Sequence, residues 1–229
     1  MEEKLSQRIR SIVDLAGKAD ITADIGCDHG LVSQALIMEK HADKVIACDI
    51  SKKSLQKAIN LARENHWSDR LDARCGDGLS VLETGEAQVI ILAGMGGLLI
   101  RRILENNLEV AFAADRLICV PHGNEYELRA FLYQNGFSIT EERLVKEDDH
   151  YYQMMAACRG KERMPDEFTL LFGKKLLEKK APVLLDYLSF KRTELDHIIE
   201  NAKLGKNTKG YTERLKRLRD RITEVLICP

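Results

Sequence analysis

Hydrophobic and polar positions change period along this chain, and each change predicts an element. Leu5, Ile9, Ile12, Val13 and Ala16 recur at helical spacing, so the chain starts on an amphipathic helix. A rhythm then sets in. "ITADIG" is a short apolar strand and "LVSQALIMEK" a helix; "KVIACDI" is a strand, and Ser51 is placed to cap the helix "SKKSLQKAINLARENH". "LDARCGD" is a weaker strand. "QVIILAG" is a strong one and precedes the helix "LLIRRILENN". "RLICVP" is a fifth strand, and "EYELRAFLYQNG" a helix stopped by Gly136. Strand and helix in alternation specify a parallel sheet covered on both faces.

After Gly136 the rhythm breaks. "FSITEERLVKE" and "HYYQMMAACRG" are strand-like runs joined by a short polar turn with no helix between them, so they pair antiparallel. Five parallel strands closing on such a hairpin is the layout of class I, Rossmann-like methyltransferases, a seven-stranded α/β fold. Beyond about residue 165 the chain reads as helix. Leu184, Leu188, Lys191, Leu195, Ile198 and Ala202 form one heptad-like seam, and Tyr211, Leu215, Leu218, Ile222 and Val225 another. The short link "LGKNTKG" folds the pair back as an antiparallel coiled-coil hairpin. The expected division is a sheet domain over 1–160 and a helical domain over 161–229.

Charge sharpens that division. The chain has 229 residues and a formal net charge of −1, which by itself says nothing about partners. Residues 1–160 hold 19 Lys and Arg against 25 Asp and Glu, whereas residues 161–229 hold 16 against 11. An acidic body with a basic arm points to two functional parts, although a solvated helical face would look the same. The arm's exposed faces carry Lys203, Lys206, Lys209, Lys216, Arg217, Arg219 and Arg221. The six cysteines form no CxxC pair and share no metal-ligand spacing with histidines, so buried free thiols in a reducing cytoplasm are expected, with no metal. No apolar run reaches membrane-spanning length, and "MEEKLSQRIR" is no signal peptide. Nothing in the sequence sets the oligomeric state.

The chemistry is expected where the strands end. Ligands of open α/β sheets bind beyond the C-terminal strand ends, where strand order reverses. The first such end reads Asp24-x-Gly26-x-Asp28-His29-Gly30. A dinucleotide turn of the form Gly-x-Gly-x-x-Gly offers bare amides to a pyrophosphate. Asp28 stands where that turn needs a glycine. Two unit charges about 4 Å apart interact by about 4 kcal/mol at an effective dielectric near 20. Against pyrophosphate that is repulsion; against S-adenosylmethionine, a sulfonium and an ammonium without phosphate, it is attraction. A tight turn with an N-capping aspartate would also produce this stretch.

Three further strand ends complete the expected cofactor site. Asp49, followed by Ile50, is placed to accept both ribose hydroxyls of an adenosine, or to cap the next helix. Gly76, Asp77 and Gly78 offer an acceptor for an adenine amine and a backbone that passes close to the ring, or an ordinary Asp-Gly turn. "AGMGG", with Ala93, Gly94, Met95 and Gly96, concentrates three glycines in four residues, which suits something flat lying against the backbone.

Taken together, "DIGCDHG", "IILAGMGGLLIRRILE", "LICVP…ELRAFLYQNGF" and "EDDHYYQMM" resemble the bacterial tRNA (adenine-22) N1-methyltransferases, the TrmK family, over nearly the whole chain. The chain departs from the usual family pattern at "DHGLVS" and at Val120-Pro121-His122, which flank the expected base pocket. The resemblance implies S-adenosylmethionine as methyl donor and N1 of a tRNA adenine as acceptor. The base would be flipped out of its helix. Asp28 is then the candidate for stabilising positive charge on the methylated ring, and His29 for orienting Asp28 or touching the base. His122, with Tyr151 or Tyr152, is placed to stack on the base. Lys203, Lys206, Lys209, Arg217 and Arg221 would hold the tRNA backbone through phosphate contacts. The alternatives are a class I methyltransferase with another substrate and a non-catalytic Rossmann-like binding module.

Overall fold

A computed structural model describes residues 5–202 and 209–227. Its described residues fall into two compact units, one running through Leu171 and the other starting at Phe172.

In the first unit, helix α1 (Gln7–Ala16) starts where the Ser6 side chain accepts from the Ile9 amide. The alternation then follows as β1 (Ala19–Ile25), α2 (Leu31–Met38), β2 (Ala42–Asp49), α3 (Lys52–Glu64), β3 (Leu71–Cys75), β4 (Val89–Met95), α4 (Gly97–Asn106), α5 (Leu108–Ala113), β5 (Arg116–Pro121) and α6 (Glu125–Gln134). The Ser51 hydroxyl caps α3 by accepting from the Ser54 amide. The hairpin β6 (Phe137–Glu147) and β7 (His150–Arg159) closes the sheet.

Strand order is β3-β2-β1-β4-β5-β7-β6. The first five strands are mutually parallel, and β7 runs antiparallel between β5 and β6. This is the expected class I layout. The chain leaves β1 toward β2 on one side and returns to β4 on the other, so strand order reverses at the C-terminal end of β1. Period-two alternation sorts the strands onto two cores. Ile90, Leu92, Leu117 and Cys119 face one side with Ile100, Leu104, Leu128 and Phe131 of α4 and α6. Val89, Ile91, Ile118 and Val120 face the other, against Ile12 and Val13 of α1 and Leu36 of α2.

The first unit extends past the expected boundary at residue 160. Arg129 of α6 is 1% exposed, pairs with Glu142 at 2.7 Å and donates to Gln153 Oε1 at 2.7 Å and to the carbonyls of Leu170 and Leu171. A buried guanidinium needs all those acceptors, and this holds the chain to the sheet as far as Leu171. Helix α7 (Glu167–Phe172) ends there.

The second unit holds α8 (Lys174–Lys179), α9 (Pro182–Ala202) and α10 (Lys209–Ile227). Helices α9 and α10 pack together, with Arg219 paired to Asp196 between them. Leu184, Leu188, Leu195 and Ile222 are buried as the seams require, but Ile198 and Tyr211 are exposed and Ile199 is buried in place of Ile198. A straight helix of 3.6 residues per turn drifts off a seven-residue repeat, and by the end of α9 the drift has moved the seam one position.

Candidate functional site

The strand ends of β1 and β4 face a cavity of about 200 Å³. Asp24, Gly26, Cys27, Asp28, His29, Ala93 and Gly94 line it, with Leu31, Val32 and Val120, and with Arg8, Ile9 and Ile12 from α1.

Asp24 forms the floor. It is 2% exposed and accepts a 2.6 Å hydrogen bond from the Ser33 hydroxyl of α2. Burial lifts its carboxyl to about 6, with the Ser33 hydrogen bonds working against that rise and the neighbouring Asp49 charge adding to it. The turn that follows is closed by its own amides. Gly26 and Cys27 both donate to the Cys48 carbonyl, at 2.8 and 3.0 Å, and Gly30 donates to the Cys27 carbonyl at 2.7 Å. The Asp28 amide donates to Asp49 Oδ2 at 3.1 Å. Asp28 holds this position at φ +42, a left-handed conformation an aspartate tolerates better than most residues.

Asp28 and His29 form the rim, both side chains more than half exposed. Lys57 of α3 joins them: its ammonium lies 3.0 Å from His29 Nε2 and 3.7 Å from Asp28 Oδ1, and His29 Nε2 is 3.6 Å from Asp28 Oδ2. A donating ammonium makes Nε2 the acceptor, so the imidazole facing Lys57 carries its proton on Nδ1.

The remaining expected cofactor residues cluster beside the cavity. Asp49 accepts from the amides of Asp28 and Ser51, the latter at 2.7 Å, which leaves carboxylate lone pairs for hydroxyl donors. Ile50 is 72% exposed next to it. The Gly76 amide donates to the Asp49 carbonyl at 3.2 Å, Asp77 is exposed, and Gly78 is buried at a positive φ. Gly94 sits in a bulge between Ala93 and Met95, and the Met95 carbonyl accepts from the His122 amide at 2.9 Å, with Gly96 leading into α4.

His122 faces the Tyr152 ring edge-on at 5.3 Å between centroids, and its imidazole is held below the usual value by burial first, then by Arg8 and His150. The Arg8 guanidinium lies over that same tyrosine, 4.8 Å from the ring centre. Tyr151 carries Lys146 over its ring instead. Lys203 and Lys206 lie outside the described residues. Lys209 opens α10, and Arg217 and Arg221 are exposed along it, all in the second unit.

Arg8, which lines the cavity, and Lys57, beside Asp28 and His29 on its rim, are the charged residues that sequence reasoning missed. Both sit on polar stretches of amphipathic helices, where a lone cation looks like any solvated side chain. Cys27 and Cys48 are pushed up chiefly by burial, Cys48 to about 11, so neither thiol is a nucleophile near neutral pH. Among the described residues no three His, Cys, Asp or Glu side chains are grouped to hold a metal ion, and no helix is long and apolar enough to cross a membrane.

Residues 5–155 match the family model described as a methyltransferase domain. Over 96% of the chain and 95% of the relative, the sequence is 29% identical to the tRNA (adenine(22)-N(1))-methyltransferase of Bacillus subtilis (strain 168). The crystal structure of the B. subtilis M1A22 tRNA methyltransferase TrmK superposes with a TM-score of 0.85 at 28% identity, covering 98% of this chain and 100% of that one. Streptococcus pneumoniae Sp1610 in complex with S-adenosyl-L-methionine superposes with a TM-score of 0.87 at 26% identity, covering 97% and 100%.

Proposed function

This chain belongs to the methyltransferase-domain family, in its tRNA (adenine-22) N1-methyltransferase group, and on that premise we propose that it methylates N1 of an adenine in tRNA with S-adenosylmethionine as donor. One observation carries the choice of cofactor. The amides of Gly26, Cys27, Asp28 and Gly30 are all donated inside the protein, and the carboxylates of Asp24, Asp28 and Asp49 surround them. A phosphate at this turn would meet charge of its own sign, and these four amides already have partners. A cation meets a match.

The residues fit the donor. Asp49 holds the ribose hydroxyls, the Gly76–Gly78 segment borders the adenine, and Gly26 and Gly94 give its flat and narrow parts a bare backbone. A Cβ on Gly26 would stand 2.7 Å from Met95 Cε. When bound, the donor supplies a methyl group on a sulfonium. What the protein's own residues contribute is position and charge. Asp28 stands exposed on the rim, where a flipped base enters, and faces the positive charge that grows on the ring as N1 is alkylated. Lys57, itself held by His29 Nε2, fixes its direction. Adenine N1 has its own lone pair, so no covalent intermediate on the enzyme is needed, in keeping with protonated, buried cysteines. His122, uncharged near neutral pH, and Tyr152 offer faces for the base. The basic arm, domain two of the chain, takes the tRNA backbone through Arg217, Arg221 and the lysines at 203, 206 and 209.

The test is to incubate unmodified tRNA with the protein and labelled donor, and to map the modified nucleotide. Label at N1 of a single adenine is expected. Charge reversal of Arg217 and Arg221 together in the full chain is expected to weaken tRNA binding and flatten its salt dependence, leaving donor affinity unchanged.

A further inference from the structure

The chain between β3 and β4 carries the segment that borders the adenine, and it holds one short helical turn, Gly78–Val81. A stretch of this kind costs entropy to order around a ligand unless the protein orders it beforehand. Arg74, on the edge strand β3, supplies that order. Its two terminal nitrogens carry four N–H groups, and each meets an acceptor. Nη1 donates to the Val81 carbonyl at 2.7 Å and to Glu86 Oε2 at 2.8 Å; Nη2 donates to Asp72 Oδ2 at 2.9 Å and to Glu86 Oε1. Glu86 also accepts from the Glu83 amide at 2.9 Å, which closes the turn between them. The Arg74 bonds hold the Glu86 carboxyl below its usual range, so the pair is ionised at neutral pH.

From Val81 the constraint reaches the ligand segment. The Val81 side chain covers Gly76 so closely that a Cβ there would run into Val81 Cγ1. On the sheet side, the Gly76 amide donates to the Asp49 carbonyl, and the Cys48 thiol donates to the carbonyls of Gly76 and Gly78 at 3.5 Å. Asp77 is therefore exposed on a segment pinned from two sides. Resting on the reading of Gly76–Gly78 as the adenine border, we propose that Arg74 is a positioning residue for base selection in the donor. Through Val81 and Gly76 it holds Asp77 where the carboxylate accepts from the exocyclic amine of adenine. A purine with oxygen at that position sets a lone pair against the carboxylate and is repelled. The preference lasts only while Asp77 is held. On a loosened segment the carboxylate swings away from an oxygen freely, and has to be ordered at a cost to meet an amine. A lysine ammonium is a point donor on a flexible stem and does not reproduce the fork.

Calorimetry on the full chain with S-adenosylhomocysteine and S-inosylhomocysteine, which carries oxygen in place of the amine, tests this. The wild type is expected to bind the adenine ligand about tenfold or more tighter, the scale of a charge-assisted hydrogen bond. Arg74→Ala should weaken the adenine ligand by most of that factor and the analogue far less, so that the preference closes; Arg74→Lys should fall between. Val81→Ala, which uncovers Gly76 but leaves the carbonyl that Arg74 holds, should narrow the preference too. Asp72→Asn, which leaves the bonds to Val81 and Glu86, should keep it and so excludes a general loosening of the edge strand. Should Arg74→Ala not fold, Arg74→Lys and Val81→Ala make the same comparison. A merely structural arginine moves both affinities together, so an Arg74→Ala protein that weakens both ligands equally, or neither, overturns the proposal. A wild type without base preference overturns it too, with the methyl-donor reading intact. A wild type that binds neither ligand overturns the methyl-donor reading itself.

Discussion

Asp24 and Asp28 sit on one turn and lead opposite lives. Asp24, on the cavity floor, is 2% exposed and held by Ser33 alone among side chains, and its carboxyl is lifted to about 6. Asp28, on the rim, is exposed and shares its charge with Lys57. The floor stores electrostatic free energy that only a bound cation can recover. The rim is solvated, screened and free to meet a large substrate. The turn therefore separates donor binding from acceptor contact.

The floor predicts the largest effects. Asp24→Asn removes the buried anion, and S-adenosylmethionine should bind weaker by about 2–3 kcal/mol, roughly 30- to 150-fold in Kd by calorimetry. The ligand-free protein should respond in the opposite sense. A carboxyl raised from 3.8 to about 6 in the fold opposes folding once ionised, so its contribution is best below pH 3.8 and declines as pH rises to about 6. At pH 7 the accumulated cost is about 3 kcal/mol, and Asp24→Asn should recover part of it as a higher Tm without ligand. Donor affinity of the wild type should in turn fall as pH drops below about 6, and the variant should be flat across that range. A variant that keeps the wild-type pH profile places the titration elsewhere.

The hinge between floor and rim comes next. Gly30 opens α2 at φ +76, and a Cβ there would stand 2.8 Å from Ala58 Cβ and 3.0 Å from its Cα. Backbone cannot yield as a side chain tip can, so Gly30→Ala should cost about 1–3 kcal/mol in denaturant unfolding, from the left-handed strain and the overlap together.

How much of this was legible in the sequence follows the range of the interactions. The strand and helix rhythm, the Ser51 cap and the β6–β7 hairpin are set by neighbours in the chain, and the residue pattern shows them directly. Helix α5 was hidden because its short apolar run, Leu108 to Ala113, continues the preceding helix after a break at Asn107. The acidic strand ends were legible as a group, since β1, β2 and β4 must end side by side. Which carboxylate is buried was not: the pattern made Asp28 prominent, whereas the position of Ser33 and the packing of α2 bury Asp24. Arg8 and Lys57 were invisible for the same reason. Arg8 meets Glu147 and Tyr152 from the far end of the first unit's sequence, and only the folded sheet brings them together.

The rim should show smaller and different effects. Asp28→Asn should lower kcat on tRNA by about tenfold, the scale of one charge-assisted contact, with a smaller loss of donor affinity because the exposed carboxylate is screened. Lys57→Ala is the subtler test. Exposed ion pairs contribute at most about 1 kcal/mol, so a loss of no more than a few-fold in kcat is expected. Lys57 has two opposed influences on Asp28: it orients the carboxylate and it offsets its charge. If orientation dominates, kcat falls in Lys57→Ala, and the loss disappears in the Asp28→Asn background, where there is no carboxylate left to aim. If kcat rises instead, the ammonium was competing with the methylated ring for the same carboxylate, and the rim works by charge alone.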